Sequence, residues 1–228
     1  MKAPALGLAV TLLSLAAQAG AQSSSAGHPG MAPISQYLMP RDAEISLARS
    51  AAPESISRDA EILVFTTTGY QRAVRGKNGF VCMVSRSWFA AFGDPDFWSP
   101  RVRAPICYNA VAALSQIPEA IKRTQVALAS GSESRILHAL KADIGSGALP
   151  VAKAGSLAYM MSKETYFNRR TTHWRPHLMF FVPETDPKSW GAGLARSPVL
   201  GVDNPDEHLT VFLIPLSRWS DGTVSAAH

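Results

Sequence analysis

Residues 60 to 88 read "AEILVFTTTGYQRAVRGKNGFVCMVSRSW", a stretch dense in strand-forming side chains. The segments "ILVFTTT" and "FVCMV" are rich in β-branched and aromatic side chains, which pack well on a pleated surface, so both are expected to be strands. Asn78-Gly79 stands between them. An Asn-Gly pair supplies the positive φ angles of a tight primed turn, so a β-hairpin closing there is expected.

The segment "QYLMPRDAEISLARSAAP" precedes the expected hairpin at residues 36 to 53. Asp42 is placed to cap a helix whose apolar side is Ile45, Leu47 and Ala48, and Pro53 stops it. On the other side, "FAAFGDPDFWSPRVRAP" carries prolines at 95, 100 and 105, which limits regular structure and predicts a surface loop loaded with Phe92, Phe97 and Trp98. Beyond it the character changes, for residues 106 to 147 contain neither Phe nor Trp. Ile117, Ile121, Thr124 and Leu128 follow helical spacing, as do Ile136, Leu137, Leu140 and Ile144. Pro118 suits a first helical turn, and Gly131 and Gly145 suit helix ends, so two helices separated by "SGSES" are predicted.

After Pro150 strand character returns in "SLAYMMS", "HLMFFVP" and "HLTVFLIPLSRW". A hairpin, then helices, then more strands, without alternation, predicts an α+β fold. Its largely antiparallel sheet would be built from the N-terminal hairpin and the C-terminal strands, with the central helical segment packed on one face. "LMFFV" is apolar on both alternating faces. One face is therefore expected under helices, and the other against loops, a second sheet, a ligand cavity or a partner subunit.

The first residues, "MKAPALGLAVTLLSLAAQAGAQ", combine a basic start at Lys2, a short apolar core and the small residues Ala19-Gly20-Ala21. This is the pattern of a signal peptide cleaved after Ala21, so residues 1 to 21 are expected to direct export to the periplasm or the medium. The apolar core is well short of the ~20 residues that span a bilayer. Residues 22 to 35, rich in Ser, Gly and Ala, read as a flexible leader to one α+β domain over 36 to 228.

The chain carries 22 basic against 17 acidic residues, and residues 101 to 162 hold seven basic and three acidic side chains. That region has only Tyr108 and Tyr159 as aromatics, whereas a nucleic-acid groove interleaves stacking rings with cations. A solvated helix face is the expected reading, and no nucleic-acid partner. The two cysteines, Cys82 and Cys107, are expected to form a disulfide in an oxidising compartment. Cys82 within "FVCMV" is too apolar in setting to ionise as a nucleophile.

Taken together, "YLMPRDAEISLARSAAP", "GKNGFVCMVSRSW", "LAYMMSK", "HWRPHLMFFVP" and "SRWSDG" resemble a family of uncharacterised bacterial secreted proteins. The resemblance spans most of the mature chain. It implies export and a single shared domain, and brings no activity with it.

Chemistry must then be sought residue by residue. His173 and His177 form H-x3-H, a zinc pair on a helix, but Pro176 pushes Arg175 into an extended conformation. In a strand the two α-carbons would lie about 13 Å apart, at ~3.3 Å per residue. A divalent metal would instead need His177, His208 and a carboxylate such as Asp203 to meet across strands. That requires the two histidine-led strands to run parallel; if they are neighbours and antiparallel, the rings stand at opposite ends. His177 is the best-placed general base and Arg175 the best-placed anion contact. Against this stands the plainer reading of histidines as polar residues at strand entrances. His173 and Trp174 are candidate ligand contacts, and Trp98 beside Asp94 and Asp96 could stack on a sugar or simply roof the core. No nucleotide loop or serine-nucleophile elbow is present. The expectation is an exported ligand-binding or envelope-accessory domain, with a small molecule or envelope component as partner. No cofactor is clearly implied. The alternatives are a hydrolase using His177 as base, and self-association through the doubly apolar strand.

Overall fold

A computed structural model describes residues 30–167 and 175–225 of the 228-residue chain. The proposed signal peptide, most of the leader, and both His173 and Trp174 lie outside the described residues.

The fold is α+β. Eight strands, β1 (Glu61–Thr66), β2 (Gly69–Val74), β3 (Val81–Ser85), β4 (Ala104–Tyr108), β5 (Ser156–Met160), β6 (His177–Pro183), β7 (Leu200–Asn204) and β8 (Leu209–Pro215), form one sheet in the order β2-β1-β3-β4-β5-β6-β8-β7. Every neighbouring pair is antiparallel except β1 and β3. Four α-helices accompany the sheet among the described residues: α1 (Arg41–Arg49), α2 (Glu54–Ser57), α3 (Ala110–Ser130) and α4 (Glu133–Gly145).

Alternation along the strands assigns the layers, since successive side chains point to opposite faces. Leu63, Met83, Ile106 and Tyr108 form one core cluster with Ala112 and Ala120 of α3. The intervening residues Ile62, Val64, Cys82 and Val84 pack instead with Leu47 and Ala48 of α1. The β1–β4 half of the sheet is thus covered on both faces. Cys82 and Cys107 are direct cross-strand partners in β3 and β4 and are joined by a disulfide. A third, aromatic cluster of Tyr37, Phe65, Trp88, Phe97 and Trp98 fills the space against Ile136 and Leu140 of α4.

The helix pair matches its spacing. Asn109 caps α3 by accepting from the Ala112 amide at 2.8 Å, and Gly131 ends it in the left-handed conformation at φ 54°. Pro118 does not open that helix. It lies inside, because the cap at Asn109 starts α3 two turns earlier. At α1 the helix starts directly after Pro40, without any side-chain cap, and Asp42 sits in the exposed first turn.

The predicted hairpin is also corrected. β1 turns at Thr67-Thr68 into β2, which pairs antiparallel with it. The chain then passes Asn78-Gly79 and returns as β3 on the other side of β1, running parallel to it. Gly79 does adopt a positive φ of 80°, but it serves a crossing rather than a two-residue turn. Gly76 makes the crossing possible, for a β-carbon there would lie 2.3 Å from the Glu61 amide nitrogen. The β2 stretch, "GYQRAV", is an edge strand with exposed Gln71 and Arg72, so it lacks the apolar content that marks buried strands.

Pro105 likewise falls inside β4 rather than in a loop. At that point β4 is paired with β3 alone, since its ladder to β5 starts at Cys107, and a one-sided position tolerates the missing donor.

In the distal half, β6 sits between β5 and β8. Phe181 enters the α3-side core. On the opposite face Phe180 meets Trp190 at 6.0 Å between ring centroids, and Trp190 stacks on Phe212 at 4.4 Å. On the second apolar face of "LMFFV", Phe180 is therefore met by a side chain of its own chain, from the segment Pro187–Trp190.

Candidate functional site

The strand pairing separates His177 from His208. β6 and β8 are adjacent and antiparallel, with His177 opposite Pro215 and Pro183 opposite Leu209. His208, just before Leu209, thus stands at the far end of the pair from His177, about 20 Å away at ~3.3 Å per residue. The geometry that a shared metal or catalytic site required is not the one the chain adopts. Among the described residues no group of three or more His, Cys, Asp or Glu side chains is placed to hold a metal ion.

Each of these residues has a local role instead. His177 is 5% exposed, and its Nδ1 donates to the Arg175 carbonyl at 2.8 Å. Burial pushes the ring below its ordinary pKa, opposed by that hydrogen bond, so His177 is held neutral in the fold. Arg175 is exposed at the strand entrance. His208 adopts a left-handed φ of 50°, and its exposed ring lies 3.3 Å from a Glu184 carboxylate oxygen. Asp203 pairs with Thr210 in the β7–β8 ladder and accepts from its hydroxyl at 3.4 Å. Trp98 is 6% exposed and its carbonyl accepts from the buried Tyr37 hydroxyl at 2.7 Å, so the aromatic loop roofs the core and presents no sugar platform.

A pH dependence follows from His177. In the unfolded chain its ring takes a proton near pH 6.5, whereas in the fold it does so only at lower pH. The unfolded state therefore binds more protons in that window. Stability contributed above about pH 6.5 is lost as pH falls toward the folded value. His177→Gln is expected to flatten the fall in unfolding free energy between pH 7.5 and 5 relative to wild type, read by urea denaturation at both pH values. An unchanged slope would show that the ring is solvated.

Two clusters of buried charge were not legible as such. Arg123 of α3, read as part of a solvated basic face, is 4% exposed. Its Nε donates to Glu119 at 2.9 Å, Nη1 donates to the Trp88 carbonyl at 3.1 Å, and Nη2 donates to Glu207. One cation thus faces two carboxylates. Burial, together with the negative charge of Glu119, pushes the Glu207 carboxyl up to about 7 against the pull of Arg123. The adjoining cavity, lined by Gln116, Glu119, Glu207 and Leu209 among others, holds about 10 Å³, room for roughly one water. With Lys141 bonded to Asp206 at 2.6 Å, this knot pins the β7–β8 hairpin to both long helices. It has no room for a substrate.

The second cluster lies beside a cleft. The β1–β3 ladder ends at Leu63 and Met83. Two residues on, the Phe65 amide donates to Glu44 Oε1 at 3.0 Å, so a carboxylate takes the place of a strand where β1 and β3 part. Arg86 Nη2 donates to the same oxygen at 2.9 Å, while Nε donates to the Tyr37 carbonyl at 2.9 Å and Nη1 to the Val84 carbonyl. Both side chains of the pair are 0% exposed. Glu44 Oε2 accepts no hydrogen bond.

Glu44 also lines a cleft of about 500 Å³ between α1 and the β1–β2 edge. Leu38, Met39, Val64 and Ala73 give it apolar walls, and Thr66, Gln71, Arg41 and Arg72 supply polar groups. Arg41 Nη2 donates to the Ala73 carbonyl at 2.8 Å across the gap between helix and strand. Arg72 reaches Glu61 at 3.4 Å. None of these residues was singled out from the sequence. The available signal was Glu44 itself, which shares the buried stripe of α1 with Leu47 and Ala48, at spacings of three and four. A carboxylate in an apolar stripe must find a partner, and that mark was present.

Searches against protein-family models, curated proteins and solved structures find no match for the chain.

Proposed function

We propose that the protein is an exported ligand-binding domain that seats a small molecule in the cleft between α1 and the β1–β2 edge. The observation that carries this reading is the combination of a cleft of about 500 Å³ with a fully buried carboxylate whose Oε2 lacks a partner. Ligand sites are typically concave, apolar-walled spaces of ~300–1,000 Å³ with a few convergent polar groups. A buried acceptor without a donor is costly, so a ligand that supplies one gains from what the fold leaves unmade. Export is supported by the signal-like first 21 residues and by the disulfide. The resemblance to bacterial secreted proteins points the same way.

Native mass spectrometry of the protein purified from its export compartment tests the reading. A co-purifying small molecule is expected, and Thr67→Trp, which places an indole at the exposed rim of the cleft, is expected to abolish it. Retention of the same mass in that variant would move the ligand elsewhere, and a bare protein in both would remove the support for a resident ligand.

A further inference from the structure

The electrostatics of the cleft go further than its volume and select a ligand class. We propose that it binds an aliphatic α-amino acid as the zwitterion, the ammonium group on Glu44 and the carboxylate on Arg41. This rests on the binding reading above.

Arg41 and Glu44 stand three residues apart on α1, which places their β-carbons about 5–6 Å from each other on one side of the helix. The Arg41 guanidinium is held against the β2 wall by its bond to the Ala73 carbonyl, yet the side chain is 60% exposed and its contact with Asp42 is a loose 4.0 Å. It can take a carboxylate without surrendering an internal partner. Arg72, by contrast, is already engaged with Glu61. At the other pole, Glu44 Oε1 is saturated by Arg86 and the Phe65 amide, and Oε2 has an open acceptor. Seating an ammonium group there requires the lining to give slightly, which Met39, an unbranched and flexible side chain, allows.

Charge balance favours both groups on one molecule. An amine alone would add a cation beside Arg86 with nothing to compensate it. A carboxylate alone would bring an anion toward Glu44. An α-amino acid carries the two charges on one carbon and adds no net charge, and its side chain faces Leu38, Val64 and Ala73.

Isothermal titration at pH 7 of the disulfide-bonded protein compares three probes: L-leucine, 4-methylpentanoate, which lacks the amine, and 3-methylbutylamine, which lacks the carboxylate. L-leucine is expected to bind at least tenfold more tightly than either partial ligand, and Arg41→Gln to weaken it at least tenfold. Because Arg41 is a surface residue, that variant keeps the Glu44–Arg86 pair and the fold. The Phe65 amide resonance, reporting on Glu44, is expected to shift with leucine. Equal binding of a partial ligand that shifts Phe65 would overturn the amino-acid class while leaving a ligand-binding cleft. Leucine binding that leaves Phe65 unshifted, or is indifferent to Arg41→Gln, would also overturn it. If no probe binds and no mass co-purifies, the ligand class and the binding reading fall together.

Discussion

Arg86→Leu is expected to lower the free energy of unfolding by about 3–5 kcal/mol, the cost of breaking a buried ion pair from one side. The guanidinium is fully buried and supplies donors to three acceptors: the Tyr37 carbonyl, the Val84 carbonyl and Glu44 Oε1. Its removal leaves a buried carboxylate bonded only to the Phe65 amide and the Tyr37 carbonyl short of a donor, while the Val84 carbonyl keeps the Tyr70 hydroxyl. The Phe65 ring, which has the guanidinium 4.9 Å from its centroid, loses a cation contact as well. The double variant Arg86→Leu/Glu44→Leu is expected to recover part of the loss, since it removes the stranded charge and leaves only backbone groups unpaired. Urea denaturation of wild type, both single variants and the double variant reads the coupling. A loss below about 1 kcal/mol in Arg86→Leu would mean that water reaches the pair and that the burial described is wrong.

Removing the disulfide is the second large effect. Cys82 and Cys107 are separated by 25 positions, and closing a loop of that size restricts the unfolded chain by about 3–4 kcal/mol in the chain-entropy estimate. Both cysteines are 0% exposed and lie in the layer between the sheet and α1. Cys82→Ala/Cys107→Ala therefore keeps the strand pairing but loses the constraint and a little packing. Its urea midpoint is expected to fall accordingly, and wild type with a strong reductant is expected to behave like the variant. If reductant leaves the midpoint unchanged and two free thiols are titrated in the native protein, the bridge does not form. A marginal fold would depend on an oxidising compartment, which ties this prediction to export.

These two features differ in how visible they were beforehand. Two cysteines in a chain with a signal-like start suggest a bridge by count and compartment alone. Arg86 was quoted only as part of "SRSW" and gave no hint of burial, because its partner is 42 positions away on another element. Arg123 misled for the same reason. On an Ala-rich helix, next to Lys122, it reads as solvated, and the arrival of the Trp88 carbonyl and of Glu207, 84 positions on, completes the set of acceptors that lets it be buried. The histidines misled in the opposite direction. Rarity and strand-edge position made them prominent, but the antiparallel pairing of β6 with β8 sends them to opposite ends.

Local patterning in the chain was enough for the class of the fold, the helix pair with its Gly131 stop, and strands within "ILVFTTT", "SLAYMMS" and "HLMFFVP", while the cysteine pair was suggested by count and compartment. All but the cysteine pair rest on local patterning: periodicity, β-branching and turn residues act within a few positions, so the chain carries them before it folds. Tertiary structure alone decided that β1 and β3 run parallel with β2 at the edge, that Glu44 meets Arg86 where those strands part, and that a cleft opens beside them. Those outcomes depend on which distant groups exclude water together. A carboxylate is a surface group or a buried one according to what arrives opposite it.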